Sequence, residues 1–206
     1  MKIEILNNYL TDENCYLVYN NSSCIVIDPG ISLDLIIKKA NELNVSIEYV
    51  FITHCHYDHI EYLEDLREKT GAKLVTSKNG ADNIKNVNIN LSAAALGKSI
   101  ISKDAEIILN DNEKRSFCGM DVLCLYTPGH TNCGVCYVIE NSVFVGDTLF
   151  LRNVGRCDLP TGDGNVLYKS IKEKLYTLDD DYKVYCGHGN PTTIGYEKKF
   201  NFYVKG

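Results

Sequence analysis

The segment HCHYDH at residues 54–59 places three histidines and one aspartate within six positions, although the whole chain contains only five histidines. Imidazole nitrogens and carboxylate oxygens are common protein ligands of zinc, manganese and iron. His54 and His56 project to the same side if the chain is extended at this point, so they can bind one ion. Asp58 and His59 lie at the start of the next predicted helix and are directed differently. The segment therefore predicts ligands for one metal ion and for a second ion nearby.

The two remaining histidines and one further aspartate each follow a predicted strand. His130 comes after DVLCLY, Asp147 after SVFV and His188 after KVYCG. Strand ends along one edge of a sheet lie close together, and they are a usual place for functional side chains. An ion with three protein ligands keeps a position for water, and two such ions that share a carboxylate lie ~3.5–4 Å apart. We therefore expect these residues to join HCHYDH in one metal centre.

The elements that position these residues are predicted from hydrophobic spacing. The runs CYLVYN, SCIVIDPG and IEYVFIT are rich in strand-forming residues, and IEYVFIT leads directly into the histidines. SLDLIIKKANELN has apolar residues at helical spacing, and IEYLEDLREKTGA predicts a helix that ends at Gly71. Residues 78–104 predict a short helix and a long loop, whereas strands dominate after residue 105. The pattern predicts an α/β sandwich that forms a single domain over residues 1–206.

Composition limits the classes of partner. The chain carries 27 acidic against 21 basic residues, a net charge of −6, and an acidic surface repels nucleic acid. No apolar run approaches the ~20 residues of a membrane span, and the N-terminal segment lacks the apolar region of a signal peptide. We therefore expect a cytoplasmic protein that binds neither nucleic acid nor membranes. Its nine cysteines are then expected to be reduced thiols.

Four motifs, THCHYDH, TPGHT, GDTLF and CGHG, resemble those of the metallo-β-lactamase-fold hydrolases in order and spacing, and IVIDPG matches as well. The chain is most similar to the glyoxalase II-like branch, the hydroxyacylglutathione hydrolases, through GDTLFLRNVGRCDLPTGD and GHGNPTTIGYEKKFN. The resemblance implies an αββα sandwich, in which two mixed β-sheets pack face to face with helices outside. It also implies three ligands for each of two ions and one bridging ligand: His54, His56 and His130; Asp58, His59 and His188; and Asp147 as the bridge.

The implied cofactors are two divalent metal ions, Zn²⁺ in the first place, with iron or manganese compatible with the same ligands. A water or hydroxide bridging the two ions, with its pKa lowered to about 7, is the expected nucleophile. It would attack the carbonyl carbon of a thioester, and a thiolate would leave. Asp147 as the bridging ligand and Asp58, which can also orient the water, are the predicted catalytic carboxylates.

The residues that contact a substrate are harder to predict. Only 18 residues follow His188, too few for the helical domain that binds glutathione in full-length glyoxalase II enzymes, so we expect a short form. Arg156 stands where those enzymes place a glutathione-contacting lysine, but an ion pair with Asp158 inside its own loop is the preferred interpretation. Tyr57 could line the mouth of the site or pack its loop. Lys198 could bind a carboxylate of the substrate or be a solvated surface charge.

Other functions on the same fold stay open. A mononuclear iron persulfide dioxygenase would use only His54, His130 and Asp147, and such relatives also carry a GR-D loop. A lactonase or other ester hydrolase on the same fold is a further alternative. A non-catalytic metal-binding protein is disfavoured, because it would be expected to lose at least one ligand. Three further residues are candidates to hydrogen-bond the metal-binding imidazoles: Asp28, Thr53 and Thr131.

Overall fold

Two six-stranded mixed β-sheets pack face to face in the computed structural model, which describes residues 1–206, and helices cover both outer surfaces. The first sheet contains six strands that lie side by side in chain order: β1 (Lys2–Asn8), β2 (Glu13–Asn20), β3 (Ser23–Ile27), β4 (Ser46–Phe51), β5 (Lys73–Thr76) and β6 (Ile107–Ile108). The second sheet contains the later strands: β7 (Lys114–Phe117), β8 (Met120–Tyr126), β9 (Val135–Ile139), β10 (Ser142–Gly146), and, after the separate hairpin of β11 (Leu149–Phe150) and β12 (Asn153–Val154), β13 (Lys183–Cys186) and β14 (Thr192–Thr193).

Seven α-helices lie in the connections: α1 (Leu33–Leu43), α2 (Tyr57–Ile60), α3 (Leu63–Thr70), α4 (Lys78–Asn83), α5 (Ser92–Leu96), α6 (Gly164–Ser170) and α7 (Ile194–Phe200). Helix α6 continues into one π-helical turn, Ile171–Leu175. None of the helices combines the length and the apolar character needed to cross a bilayer.

Side-chain alternation along the strands divides the interior into three hydrophobic layers. In β3, Val26 faces the layer beneath α1 and α3, whereas Ile25 faces the layer between the two sheets. In β9, Tyr137 faces the layer between the sheets, and Val138 faces the layer beneath α6. Successive side chains of a strand point to opposite faces, so a strand buried on both faces is apolar throughout. This explains the continuous apolar runs in these strands.

Strand direction brings the loops after four strands to the same edge of the sandwich. In the second sheet, β8 and β10 are both antiparallel to β9 and therefore run in the same direction, and β13 is parallel to β10. In the first sheet, β4 is parallel to both β3 and β5. The predicted ligands follow β4, β8, β10 and β13, so this topology carries them to one region.

The αββα fold is confirmed, and several elements differ from the predicted ones in extent. The helix predicted up to Gly71 does end there, at φ +74°, but α2 and α3 are separate helices. Residues 78–104 contain two short helices, α4 and α5, instead of one. Residues 2–8, for which no element was predicted, form an edge strand because all seven residues pair with β2.

Candidate metal centre

The structure brings all seven predicted ligands together at the edge described above. Six of them form two groups of three, in each of which the ligand atoms lie within 4.8 Å of one another, and Asp28 forms a third such group with His54 and His59. We call the first two groups the first triad (His54, His56 and His130) and the second triad (Asp58, His59 and His188). The first triad combines a loop of the first sheet with a loop of the second, and so does the second triad.

The first triad consists of three buried imidazoles whose nitrogens face one another. Nδ1 of His56 lies 2.9 Å from Nε2 of His130, and Nε2 of His54 is buried without a hydrogen-bond partner. Buried nitrogens are normally hydrogen-bonded, so converging and unpartnered ones indicate a ligand for a cation. The donor set is that of a zinc, iron or manganese site.

The second triad mixes a carboxylate with two imidazoles. His59 Nε2 lies 3.3 Å from His188 Nε2, which in turn lies 3.4 Å from Oδ2 of Asp58. The side chain of His59 is fully buried, whereas those of His188 and Asp58 are 24% and 17% exposed. This triad therefore borders the solvent.

Asp147 lies between the two triads. Its Oδ1 is 3.4 Å from His59 Nε2 and 3.6 Å from His188 Nε2, while its Oδ2 is 3.4 Å from His130 Nε2. Each oxygen thus faces one triad, as a bridging carboxylate would. A Cβ atom on Gly187 would lie only 2.2 Å from Asp147 Oδ1, so this position has room only for glycine.

Asp28 and Thr53 support the imidazoles from behind, as the sequence suggested. His59 Nδ1 donates to Asp28 Oδ2 (2.9 Å), and the same carboxylate accepts bonds from the backbone N–H (2.7 Å) and hydroxyl (2.6 Å) of Thr53. His54 Nδ1 donates to the Thr53 hydroxyl (3.1 Å). These bonds leave Nε2 of both histidines directed towards the centre. Thr131, the third candidate, bonds to Cys133 (3.3 Å) instead.

Two backbone carbonyls orient the histidines of the second sheet. His130 Nδ1 donates to the carbonyl of Arg156 (2.7 Å), and His188 Nδ1 donates to the carbonyl of Thr11 (3.0 Å). Sequence reasoning missed both contacts, because every residue carries a carbonyl and no residue type marks the one that is used. Thr11 belongs to the β1–β2 turn, so the tip of this hairpin borders the second triad.

Electrostatics differ between the triads. Burial lowers the pKa of His54 well below its usual range and that of His56 to about 4, with neighbouring imidazoles adding to the effect. Burial also acts to lower the pKa of His59, but the carboxylates of Asp147 and Asp28 outweigh it and raise this pKa well above the usual range. His54 and His56 of the first triad are therefore neutral, whereas His59 forms part of a buried ion pair.

The three predicted substrate-contacting residues occupy different surroundings. Tyr57 is half-buried beside Asp58 in α2, at the rim of the second triad. The guanidinium of Arg156 makes a two-bonded ion pair with Asp158, at 2.7 Å for each bond, and both side chains are largely exposed. The ammonium of Lys198 is bound by Asp180 (2.6 Å) and the carbonyl of Leu178 (3.1 Å), so the structure does not bring it to the triads.

The αββα sandwich carries at its strand ends a triad of three histidines and a triad of one aspartate and two histidines, with Asp147 between them. This arrangement is typical of a metallohydrolase. Residues 9–188 match the model of the Metallo-beta-lactamase superfamily, and the chain belongs to that superfamily. Its fold binds divalent metal ions with a His/Asp cluster of this kind.

Among curated relatives, a probable metallo-hydrolase of Streptococcus pyogenes is 35% identical over 98% of this chain and 89% of its own length. The hydroxyacylglutathione hydrolase GloC of Haemophilus influenzae is 30% identical, covering 99% of this chain and 98% of its own. Similar solved structures include the B3 metallo-beta-lactamase BLEG-1 (27% identity, TM-score 0.94, all of both chains) and ETHE1 from Myxococcus xanthus (30%, 0.84, 99% of this chain and 84% of its own). A third, TTHA1623 in a di-iron-bound form, is 28% identical with a TM-score of 0.81 over 93% of this chain and 95% of its own.

Proposed function

We propose that this metallohydrolase hydrolyses thioesters, in the manner of a hydroxyacylglutathione hydrolase, at a centre of two divalent metal ions. The observation that carries the proposal is that both triads are complete and that Asp147 directs one oxygen to each of them. The 30% identity to GloC over nearly the whole of both chains supports the same reaction class.

The chain's own contribution is to hold the reacting groups in fixed positions. When bound, the ions, Zn²⁺ in the first place and iron or manganese as alternatives, would supply an activated water and polarise the substrate carbonyl. Asp28 keeps the proton of His59 on Nδ1 and so leaves the lone pair of Nε2 directed towards the centre, where it can bind a metal ion. Asp147 adds a negative charge between the triads, and Asp58 in the second triad can also orient the attacking water.

The substrate is expected to approach past the second triad, because His188 and Asp58 are its solvent-exposed members. Tyr57 stands at the same rim and is the proposed contact for the acyl group or the thiol. A thiolate is a good leaving group, so the reaction needs little help from a general acid. The proposed partner is a small acyl-thioester, and we propose no nucleic-acid or membrane partner.

The thiol part of the proposed substrate is not restricted to glutathione. Arg156 is already paired with Asp158, and Lys198 with Asp180, so neither cation is free for a carboxylate of glutathione. Glutathione is therefore one of several thiols to be tested.

Metal analysis of the purified protein, together with a panel of acyl-thioesters that includes S-lactoylglutathione, tests the proposal. The panel also contains a lactone and, because of the similarity to BLEG-1, a β-lactam. We expect two metal ions per chain and the highest kcat/KM on a thioester. A protein with two bound ions that turns over no thioester would contradict the proposal.

A mononuclear iron persulfide dioxygenase is the second candidate. It is favoured by the paired Arg156 and Asp158 of the GR-D loop and by the 30% identity to ETHE1. The complete second triad weighs against it, because such an enzyme needs only three of the seven ligands. One iron per chain and oxygen uptake with glutathione persulfide would establish this alternative.

A further inference from the structure

Glu13 is a buried carboxyl that the proposed mechanism does not use. It is the first residue of β2, its exposure is 0%, and neither of its oxygens has a hydrogen-bond partner in the chain. Burying a polar group without a partner is costly, so such a residue needs a reason to be there. Unpartnered atoms of His54, His56 and Asp147 have a reason in the metal centre, but Glu13 belongs to neither triad.

Glu13 lies directly behind the second triad. Its backbone forms an isolated antiparallel bridge with His188, and the next residue, Asn14, donates its N–H to the carbonyl of Gly187 (2.8 Å). The carboxyl carbon of Glu13 is 2.8 Å from the point where a Cβ on Gly30 would stand, and the carbonyl oxygen of Asp58 is 1.6 Å from the same point. The Glu13 carboxyl therefore packs between β2 and the backbone of Asp58.

The nearest polar groups are already used or are themselves unpartnered. The N–H of Gly30 donates to the carbonyl of Asp28 (2.9 Å) and also faces the Glu13 carboxyl, so it is shared between two acceptors. The hydroxyl of Thr11, two residues before Glu13, is also buried and unpartnered, while the carbonyl of Thr11 accepts the bond from His188. Two buried polar side chains without partners thus lie two residues apart in the chain, on the segment that orients His188. A single water molecule can satisfy such a set, because it both donates and accepts.

We propose that Glu13 is a positioning residue of the second triad, which binds one internal water between β2 and the backbone of Asp58 and thereby sets the relative positions of Asp58 and His188. Outer contacts of this kind commonly change metal affinity by about 10–100-fold when they are removed. The proposal rests on the two-ion centre proposed above, since it concerns only the ion held by the second triad.

The test compares Glu13→Leu, which removes the polar group at similar volume, with Glu13→Gln, which keeps hydrogen-bonding capacity. The glutamine side chain has nearly the same size and shape as that of glutamate and keeps polar atoms at the same positions, so it is the matched replacement. Val18→Ala is the control, because Val18 lies in the same strand, is fully buried and packs between the sheets, away from both triads. Each metal-free variant is titrated with zinc against a chromophoric chelator, and its urea unfolding is measured in parallel.

We expect Glu13→Leu to lower the affinity for the second zinc ion, the one held by the second triad, by at least about tenfold, and the affinity for the first ion by less than about threefold. The metal-free variant should be as stable as the wild type or more so. Glu13→Gln should keep both constants within about threefold, and Val18→Ala should lose stability without a selective change in the second constant. An unchanged second constant in Glu13→Leu, or an equal loss in Glu13→Gln, would overturn the proposal for Glu13 alone. A wild-type protein that binds only one zinc ion would overturn this proposal and the two-ion function together.

Discussion

The first triad lies deeper in the protein than the second. His54, His56 and His130 are only 2–4% exposed, whereas the side chain of His188 in the second triad is 24% exposed. A site closed on all sides by protein favours retention of an ion, and a site open to solvent favours exchange and contact with a substrate. The comparison indicates that the two triads lie on either side of Asp147 but differ in accessibility.

The charge of the ligands follows the same division. Only imidazoles form the first triad, and burial keeps the pKa of His54 and His56 low. In the second triad, a carboxylate is a ligand and a further carboxylate, Asp28, holds His59. An ion entering the second triad must therefore displace a proton from His59, while an ion entering the first meets free lone pairs on His54 and His56.

The replacement Asp147→Asn should have the largest effect, because it removes the one charge common to both triads. We expect kcat/KM to fall by at least about 10³-fold and both zinc constants to weaken. Steady-state kinetics and metal analysis measure these quantities, and Asp121→Asn, an exposed aspartate on β8, is the control. Full metal content together with hydrolysis in Asp147→Asn would show that the bridge assignment is wrong.

The replacement Asp28→Asn should lower zinc affinity at the second triad more than at the first. The carboxylate accepts three hydrogen bonds, and an amide nitrogen in place of one oxygen cannot accept them all. We expect zinc affinity at the second triad to fall by about 10–100-fold and zinc affinity at the first triad to fall by much less. Competition with a chelator gives both constants, and an equal loss at both sites would mean that Asp28 supports the whole fold of the edge rather than the second triad.

The pH dependence of zinc binding should differ between the sites. Since the pKa of His59 is raised by Asp147 and Asp28 against the effect of burial, its proton is lost only as the pH rises above about 6.5, the ordinary value for histidine. Affinity at the second site should therefore increase as the pH rises above about 6.5, while His54 and His56 of the first site stay neutral over this range, because the pKa of His54 is lowered and that of His56 is about 4. Calorimetric titrations in buffers of different ionisation enthalpy count the protons released, and equal release at both sites would contradict the division.

The smallest effect is expected for Arg156→Ala. The guanidinium is exposed and paired with Asp158, and the contact to His130 comes from the backbone carbonyl, which the substitution keeps. We expect KM for S-lactoylglutathione and the zinc constants to change by less than about threefold. A tenfold rise in KM with unchanged zinc binding would instead make Arg156 a substrate contact.

Much of the metal centre could be predicted from the sequence, because histidine is rare in the chain and each ligand follows a strand. Apolar spacing predicts an α/β sandwich, and the αββα arrangement is implied by the resemblance of the motifs to the family. Contacts between residues that are distant in sequence could not be predicted. Asp180 binds Lys198 from 18 residues away, and Thr11 contacts His188 across 177 residues. Glu13 also gave no signal, since only the fold shows that this carboxyl is buried and without a partner.

The distance along the chain between His59 and His188, 129 residues, has a consequence for biosynthesis. Synthesis proceeds from the N-terminus, so the ligands at residues 54–59 leave the ribosome long before the last ligand exists. The second triad can form only after β13 has paired with β10, a contact between distant segments of the kind that forms slowly. Metal loading at the second triad is therefore a late event in the life of the nascent chain, and the growing polypeptide must reach this stage without help from that ion.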